Sequence, residues 1–192
     1  MNIKNYIRKE DIDKAFDDKP LKLQYNMMMP STSSFIKAIE ELKPWEKEKG
    51  SALIIGGCNG YIPSILYLLM GKESIVRCSE SISEIIDISK KNIDENNKDL
   101  SSKITFSKEN GKGPYDIIYI NQTVQSVSEE IENLLNFNGK MFVSIGANRS
   151  YTSYIIDKDL NGATKMIKLE EEAPVSSIPL RVNAVYQFLD LF

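Results

Sequence analysis

From Ser51 onward the chain alternates short β-branched runs with longer stretches whose apolar residues recur at helical spacing. The runs predict strands at Ala52–Ile55, Ser74–Ser79, Lys103–Ser107, Tyr115–Ile120 and Lys140–Ile145. Between them, Ile62, Ile65, Leu66 and Leu69 mark one face of a helix over Tyr61–Met70, and Ile85, Ile86, Ile88 and Ile93 mark another over Ser83–Asn96. A third helix is expected over Val124–Phe137, with Ile131, Leu134 and Leu135 on one side. Such repeated β-α-β units imply an α/β fold, a doubly wound and mostly parallel sheet with helices on both faces.

Ahead of this core, Phe35, Ile36, Ile39 and Leu42 have helical spacing, and Lys43-Pro44 closes the helix. The preceding Leu23–Pro30 reads as an irregular loop whose Met27-Met28-Met29 run serves either as adaptable core filler or as an apolar lid. Beyond the core, Asn161-Gly162 suggests a hairpin between Tyr151–Ile156 and Thr164–Leu169, with further strands at Val175–Leu180 and Asn183–Leu191. No linker divides the chain. It is read as one domain, residues 1–192, with an N-terminal extension over 1–49, a core over 50–146 and C-terminal strands over 147–192.

Composition narrows the chemistry. The absence of histidine removes imidazole-based nucleophilic catalysis, histidine metal sites and histidine proton shuttles. Two cysteines, Cys58 and Cys78, are too few for a zinc cluster or a disulfide framework, which favours a reducing, cytoplasmic setting. A net charge of −3 gives no general nucleic-acid-binding surface. The uncharged run from Gly50 to Gly71 is long enough to cross a bilayer, but its five glycines, Asn59 and Pro63 divide it into a strand, a turn and a helix. No membrane partner is therefore expected.

The candidate chemistry begins at Gly56-Gly57-Cys58-Asn59-Gly60, where a buried strand passes through glycines into a helix. That arrangement lets a backbone approach a ligand closely and aims helix-start N–H groups at it; the plainer alternative is a tight turn without a ligand. Glu80 follows the second strand, twenty residues past Gly60, where a carboxylate can accept hydrogen bonds from a ribose diol. Asn110-Gly111 and Asn121-Gln122 follow the third and fourth strands, either as ligand contacts or as plain turns. Neither the Gly-x-Gly-x-x-Gly spacing of dinucleotide folds nor a phosphate-binding lysine motif is present, so a nucleoside fits better than a pyrophosphate, and a nicotinamide dehydrogenase fits poorly.

Several blocks, in order, resemble the protein-L-isoaspartate O-methyltransferases, which depend on S-adenosylmethionine. They are Asp18-Lys19-Pro20-Leu21, the loop ending in Pro30, Glu40–Pro44, Ala52–Tyr61, Ser79-Glu80, Gly113–Ile118, Leu134–Lys140 and Ile178-Pro179-Leu180. The resemblance implies S-adenosylmethionine over Gly56–Gly60, its ribose on Glu80 and its adenine near Asn110-Gly111. It implies isoaspartyl proteins or peptides as the methyl acceptor, beside a family serine whose position is taken here by Met28, with Ser31 the first of the nearby hydroxyls. The chain also has Ile54 where the family usually carries an acidic residue, Cys58 for a glycine and Asn110 for an aspartate. Two functions remain open on the sequence: methylation of isoaspartyl carboxyl groups in protein repair, or a catalytically degenerate relative serving as a nucleoside- or partner-binding scaffold.

Overall fold

The computed structural model describes residues 2–56, 59–147 and 150–169. An N-terminal segment with short 3-10 turns leads into a two-stranded ribbon, β1 (Leu21–Lys22) and β2 (Met28–Met29), and then into helix α1 (Thr32–Leu42). The ribbon pairs Leu21 with Met29 and Lys22 with Met28, so the segment expected to be irregular is partly ordered by strand pairing. Lys43 ends α1 in a left-handed conformation at φ 49°, and Pro44 prevents the helix from continuing.

The core then follows as β3 (Ser51–Ile55), α2 (Tyr61–Met70), β4 (Ile75–Ser79), α3 (Ser83–Asn96), β5 (Ile104–Ser107), β6 (Tyr115–Val124), α4 (Glu129–Asn133), β7 (Leu135–Ala147), β8 (Ser150–Lys158) and β9 (Thr164–Lys168). Strands β3 to β9 form a seven-stranded sheet in the order β5-β4-β3-β6-β7-β8-β9, separate from the β1-β2 ribbon. The first five run parallel, while β8 and β9 are antiparallel additions. Both expected crossover helices have the boundaries read from sequence, and the Asn161-Gly162 hairpin joins β8 to β9. The strands expected at Val175–Leu180 and Asn183–Leu191 lie outside the described residues.

Alternation along each strand assigns the two faces. Ala52, Ile54, Val76, Cys78, Ile117, Tyr119, Phe142 and Ile155 pack beneath α1, α2, α3 and the N-terminal segment. Leu53, Ile55, Ile118, Ile120, Met141, Val143 and Ile156 form the opposite face, against which Ile131 and Leu134 pack from the α4 region. The long uncharged run from Gly50 resolves into β3, a turn and α2. No described helix is long and apolar enough to cross a membrane.

The helix expected over Val124–Phe137 is a correction. Val124 still belongs to β6, only Glu129–Asn133 is helical, and Leu135 already pairs with Tyr115 in β7. The apolar positions were read correctly, but sheet pairing captures Leu135, which is 2% exposed, while the Ser128 side chain caps the short helix by accepting the Ile131 N–H. A helix of this length has little stability of its own, so the ladder hydrogen bonds on either side decide its ends.

Candidate active site

The strand order reverses direction between β3 and β6, because β3 leads to β4 on one side while the chain later returns to place β6 on the other. Ligands of open α/β sheets bind at the carboxyl ends of the strands at such a point. Gly56, Glu80 and Asn121 all lie at that edge.

Gly56 follows β3 at φ 90° and donates its N–H to the Ser79 carbonyl at 2.9 Å, tying the tip of β3 to the tip of β4. Glu80 is 2% exposed, an unusual environment for a carboxylate beyond a strand end. Its backbone N–H donates to the Ser107 carbonyl at 2.9 Å, and its Oε1 accepts the Ile82 N–H at 2.9 Å, so main chain and carboxylate are both oriented. An anionic acceptor oriented in this way is of the kind that can take hydrogen bonds from a ribose diol.

The other end of the glycine turn is built differently. Asn59, 2% exposed, donates from Nδ2 to the Tyr6 carbonyl at 2.6 Å and accepts the Tyr61 N–H on Oδ1 at 3.2 Å. Asn92 in turn donates to the Asn59 carbonyl at 2.8 Å. Gly60, at φ 92°, packs so tightly that a Cβ would meet the Ser89 carbonyl oxygen at 2.7 Å and Ile93 Cγ1 at 3.0 Å. At the start of α2 the Tyr61 N–H is thus taken by Asn59, and Pro63 has none to offer. This end of the turn anchors the N-terminal segment and seats α2 on α3. It offers little to an anion, in keeping with a nucleoside rather than a pyrophosphate. Gly57 and Cys58 lie outside the described residues.

Asn110 and Gly111 sit in the crossover from β5 to β6. The Tyr115 hydroxyl donates to the Asn110 carbonyl at 2.6 Å, and Gly111, at φ 76°, is pressed against that hydroxyl and Arg77. The loop is thus tied to β6 through Tyr115 and packed on β4 through Arg77. Asn121 is 7% exposed and lies where β6 bulges away from β7 between Tyr119 and Thr123, an irregularity that redirects side chains at functional edges.

Of the two residues expected beside the acceptor, Met28 is in β2 and Ser31 is the N-cap of α1. Ser31 Oγ accepts the Ser34 N–H at 3.3 Å and lies 2.7 Å from Ser34 Oγ. Phe35, in the first turn of α1, packs 6.1 Å from the Tyr119 ring, placing the helix start over the middle of β6, where Tyr119 pairs with Ile54 of β3. Asp18 fastens the loop from its other side by accepting the Ser33 N–H on Oδ1 at 2.9 Å. That backbone hydrogen bond chiefly holds the Asp18 carboxyl below its ordinary range, against the opposing effect of desolvation. Tyr6, Asn92 and Asp18 were not assigned roles from sequence. Tyr6 and Asn92 carry no local pattern, whereas Asp18 had a signal in its block, Asp-x-Pro-Leu.

A doubly wound, mostly parallel sheet with a buried, hydrogen-bonded carboxylate at the tip of β4 defines an open α/β protein whose carboxyl edge is the place for a ligand. The model of the protein-L-isoaspartate(D-aspartate) O-methyltransferase family matches residues 2–183, and the chain belongs to that family. It is 23% identical over 174 residues to protein-L-isoaspartate O-methyltransferase of Triticum aestivum, covering 86% of this chain and 74% of that relative. It is 27% identical over 154 residues to protein-L-isoaspartate O-methyltransferase 1 of Archaeoglobus fulgidus, covering 79% and 69%. The fold superposes with a TM-score of 0.76 and 19% identity on a Plasmodium falciparum protein described as a protein-L-isoaspartate O-methyltransferase, solved with S-adenosyl-L-homocysteine, over 91% of this chain and 85% of that one.

Proposed function

We propose that this chain performs its family's reaction, methyl transfer from S-adenosylmethionine to the carboxyl group of L-isoaspartyl residues in damaged proteins, with the donor at the β3 and β4 tips and the acceptor beside β2 and α1. The observation that carries this reading is the buried, backbone-held Glu80 at the tip of β4 in a chain whose family match runs almost end to end. Glu80 holds the ribose, Gly56 allows close approach of the backbone, and the Asn110-Gly111 loop borders the adenine. When bound, the donor supplies a methyl group on a sulfonium and takes up the electron pair of the broken carbon–sulfur bond.

The chain's own share is binding, alignment and exclusion of water. An isoaspartyl carboxylate is already ionised at neutral pH, so its oxygen attacks without a general base, and a protein lacking histidine is not handicapped. Ser31 and its hydroxyl neighbours, locked by the α1 cap and by Asp18, provide the polar wall of the acceptor side. Met28 takes the family serine's position and contributes no such group. The buried Cys78 thiol in the core fits a reducing compartment, and we place the protein in the cytoplasm as a single methyltransferase-like domain.

The test is transfer of radiolabelled methyl to an isoaspartyl peptide, with its ordinary aspartyl twin as control, beside calorimetric titration with S-adenosyl-L-homocysteine. Label on the isoaspartyl peptide alone is expected, and Met28→Ser should raise the rate by restoring a hydrogen-bonding group beside the carboxylate. No label from either protein, together with no cofactor binding, would leave only a scaffold role.

A further inference from the structure

Tyr25 occupies an unusual position in the acceptor loop. It stands between β1 and β2 with φ 53° and ψ 32°, a left-handed conformation that bulky side chains rarely adopt, and its side chain is left 50% exposed. The loop is held in this shape from within. The Leu23 N–H donates to the Met27 carbonyl at 2.6 Å and the Met27 N–H to the Gln24 carbonyl at 3.0 Å, closing a tight turn around Tyr25. Both flanks are anchored, since Leu23, Met27 and Met29 are 4%, 1% and 1% exposed. The Asp18–Ser33 hydrogen bond ties the start of α1 back to the segment before β1, and the Phe35–Tyr119 contact seats α1 on β6 of the sheet.

For stability alone, glycine or asparagine would suit this backbone better, and a half-exposed aromatic ring gains little from burial. An aromatic residue held in an unfavourable conformation beside a site points to a ligand contact. Resting on the acceptor assignment above, we infer that Tyr25 is a specificity-determining residue that docks an apolar side chain flanking the isoaspartyl residue in the acceptor. The flat ring offers contact area at low entropic cost, because its backbone is already fixed. The loop thus presents two kinds of surface, polar at Ser31 for the carboxylate and aromatic at Tyr25 for the neighbouring residue.

The experiment measures fluorescence anisotropy of labelled isoaspartyl peptides on the full chain with S-adenosyl-L-homocysteine present, using one peptide with leucine and phenylalanine flanks and one with glycine flanks. Tyr25→Asn keeps a residue that tolerates positive φ while removing the ring, and thermal melting verifies that it stays folded. Tyr25→Asn should weaken the apolar-flanked peptide roughly three- to tenfold, the size of one aromatic contact, and leave the glycine-flanked peptide unchanged. Tyr25→Phe should bind both peptides as the parent does. Equal affinity of parent and Tyr25→Asn for the apolar-flanked peptide overturns the inference, as does failure of the parent to prefer that peptide over the glycine-flanked one. An aspartyl twin separates the two claims. If the parent binds it equally well but Tyr25 still matters, the acceptor reading falls and Tyr25 remains a peptide contact; if isoaspartate is preferred but Tyr25 does not matter, only the present inference falls.

Discussion

The glycine turn after β3 and the carboxylate after β4 lie side by side on one edge of the sheet, yet they are built for different tasks. In the turn, Asn59 ties Tyr6 to the start of α2, and Gly60 is small because α3 presses on it. At the β4 tip, Glu80 is buried and its carboxylate is oriented by the Ile82 N–H. A glycine in such a turn can thus be demanded by helix packing, whereas burial of a carboxylate costs free energy and calls for a polar partner. We read the edge accordingly as a packing half and a ligand half, a division that variants can test.

The variants that should separate these halves differ in size. Gly60→Ala is expected to be the most damaging, because it combines a left-handed conformation with contacts at 2.7 and 3.0 Å. A loss of about 2–5 kcal/mol in urea denaturation is expected, with ligand affinity falling only as the protein unfolds. Asn59→Ala and Glu80→Gln should be comparable in magnitude and opposite in kind. Asn59→Ala removes a hydrogen-bond partner from the Tyr6 carbonyl and from the Tyr61 N–H, so stability should drop by about 1–3 kcal/mol and amide exchange should quicken around Tyr6. Glu80→Gln retains an acceptor for the Ile82 N–H but removes the charge, so calorimetry should show cofactor binding weakened by about 1–3 kcal/mol with little change in melting. If Glu80→Gln instead unfolded the protein and left affinity intact, both halves would be structural.

The smallest effect concerns the N-terminal cover that Asn59 anchors. Asp11, 3% exposed, accepts from Lys14 Nζ at 2.7 Å and Arg8 Nε at 2.6 Å. The Lys14 hydrogen bond first, and Arg8 with it, hold its carboxyl below the ordinary range despite desolvation. A depressed folded-state pKa gives stability that is present above the unfolded value, about 4, and lost as pH falls through the folded value. Asp11→Asn should therefore cost about 0.5–1 kcal/mol at neutral pH, Lys14 being largely solvent-screened, and the difference from the parent should vanish in acid. Melting temperatures of both proteins across that pH range would check it.

Sequence pattern alone located α2 and α3 at their observed boundaries, because each crossover helix carries its own apolar stripe and is punctuated by glycine or by turn residues. It also placed Glu80 correctly, since a residue just beyond a parallel strand can only lie at the carboxyl edge. It misread Val124–Phe137, where helical spacing and strand pairing compete and the pairing partner, Tyr115, lies twenty residues from Leu135. The Tyr6–Asn59 hydrogen bond joins residues 53 positions apart and leaves no periodic trace.

Local periodicity and turn chemistry were thus enough to determine the doubly wound core, the order of its elements and the edge where its chemistry belongs. Only the tertiary structure decided that Asn59 hydrogen-bonds the N-terminal segment, that Gly60 is pressed against α3, that Glu80 is buried and that Tyr25 is exposed in a left-handed turn. Those outcomes depend on which distant backbone groups and side chains come within hydrogen-bonding or van der Waals reach, and the spacing of residues along a chain does not encode that distance.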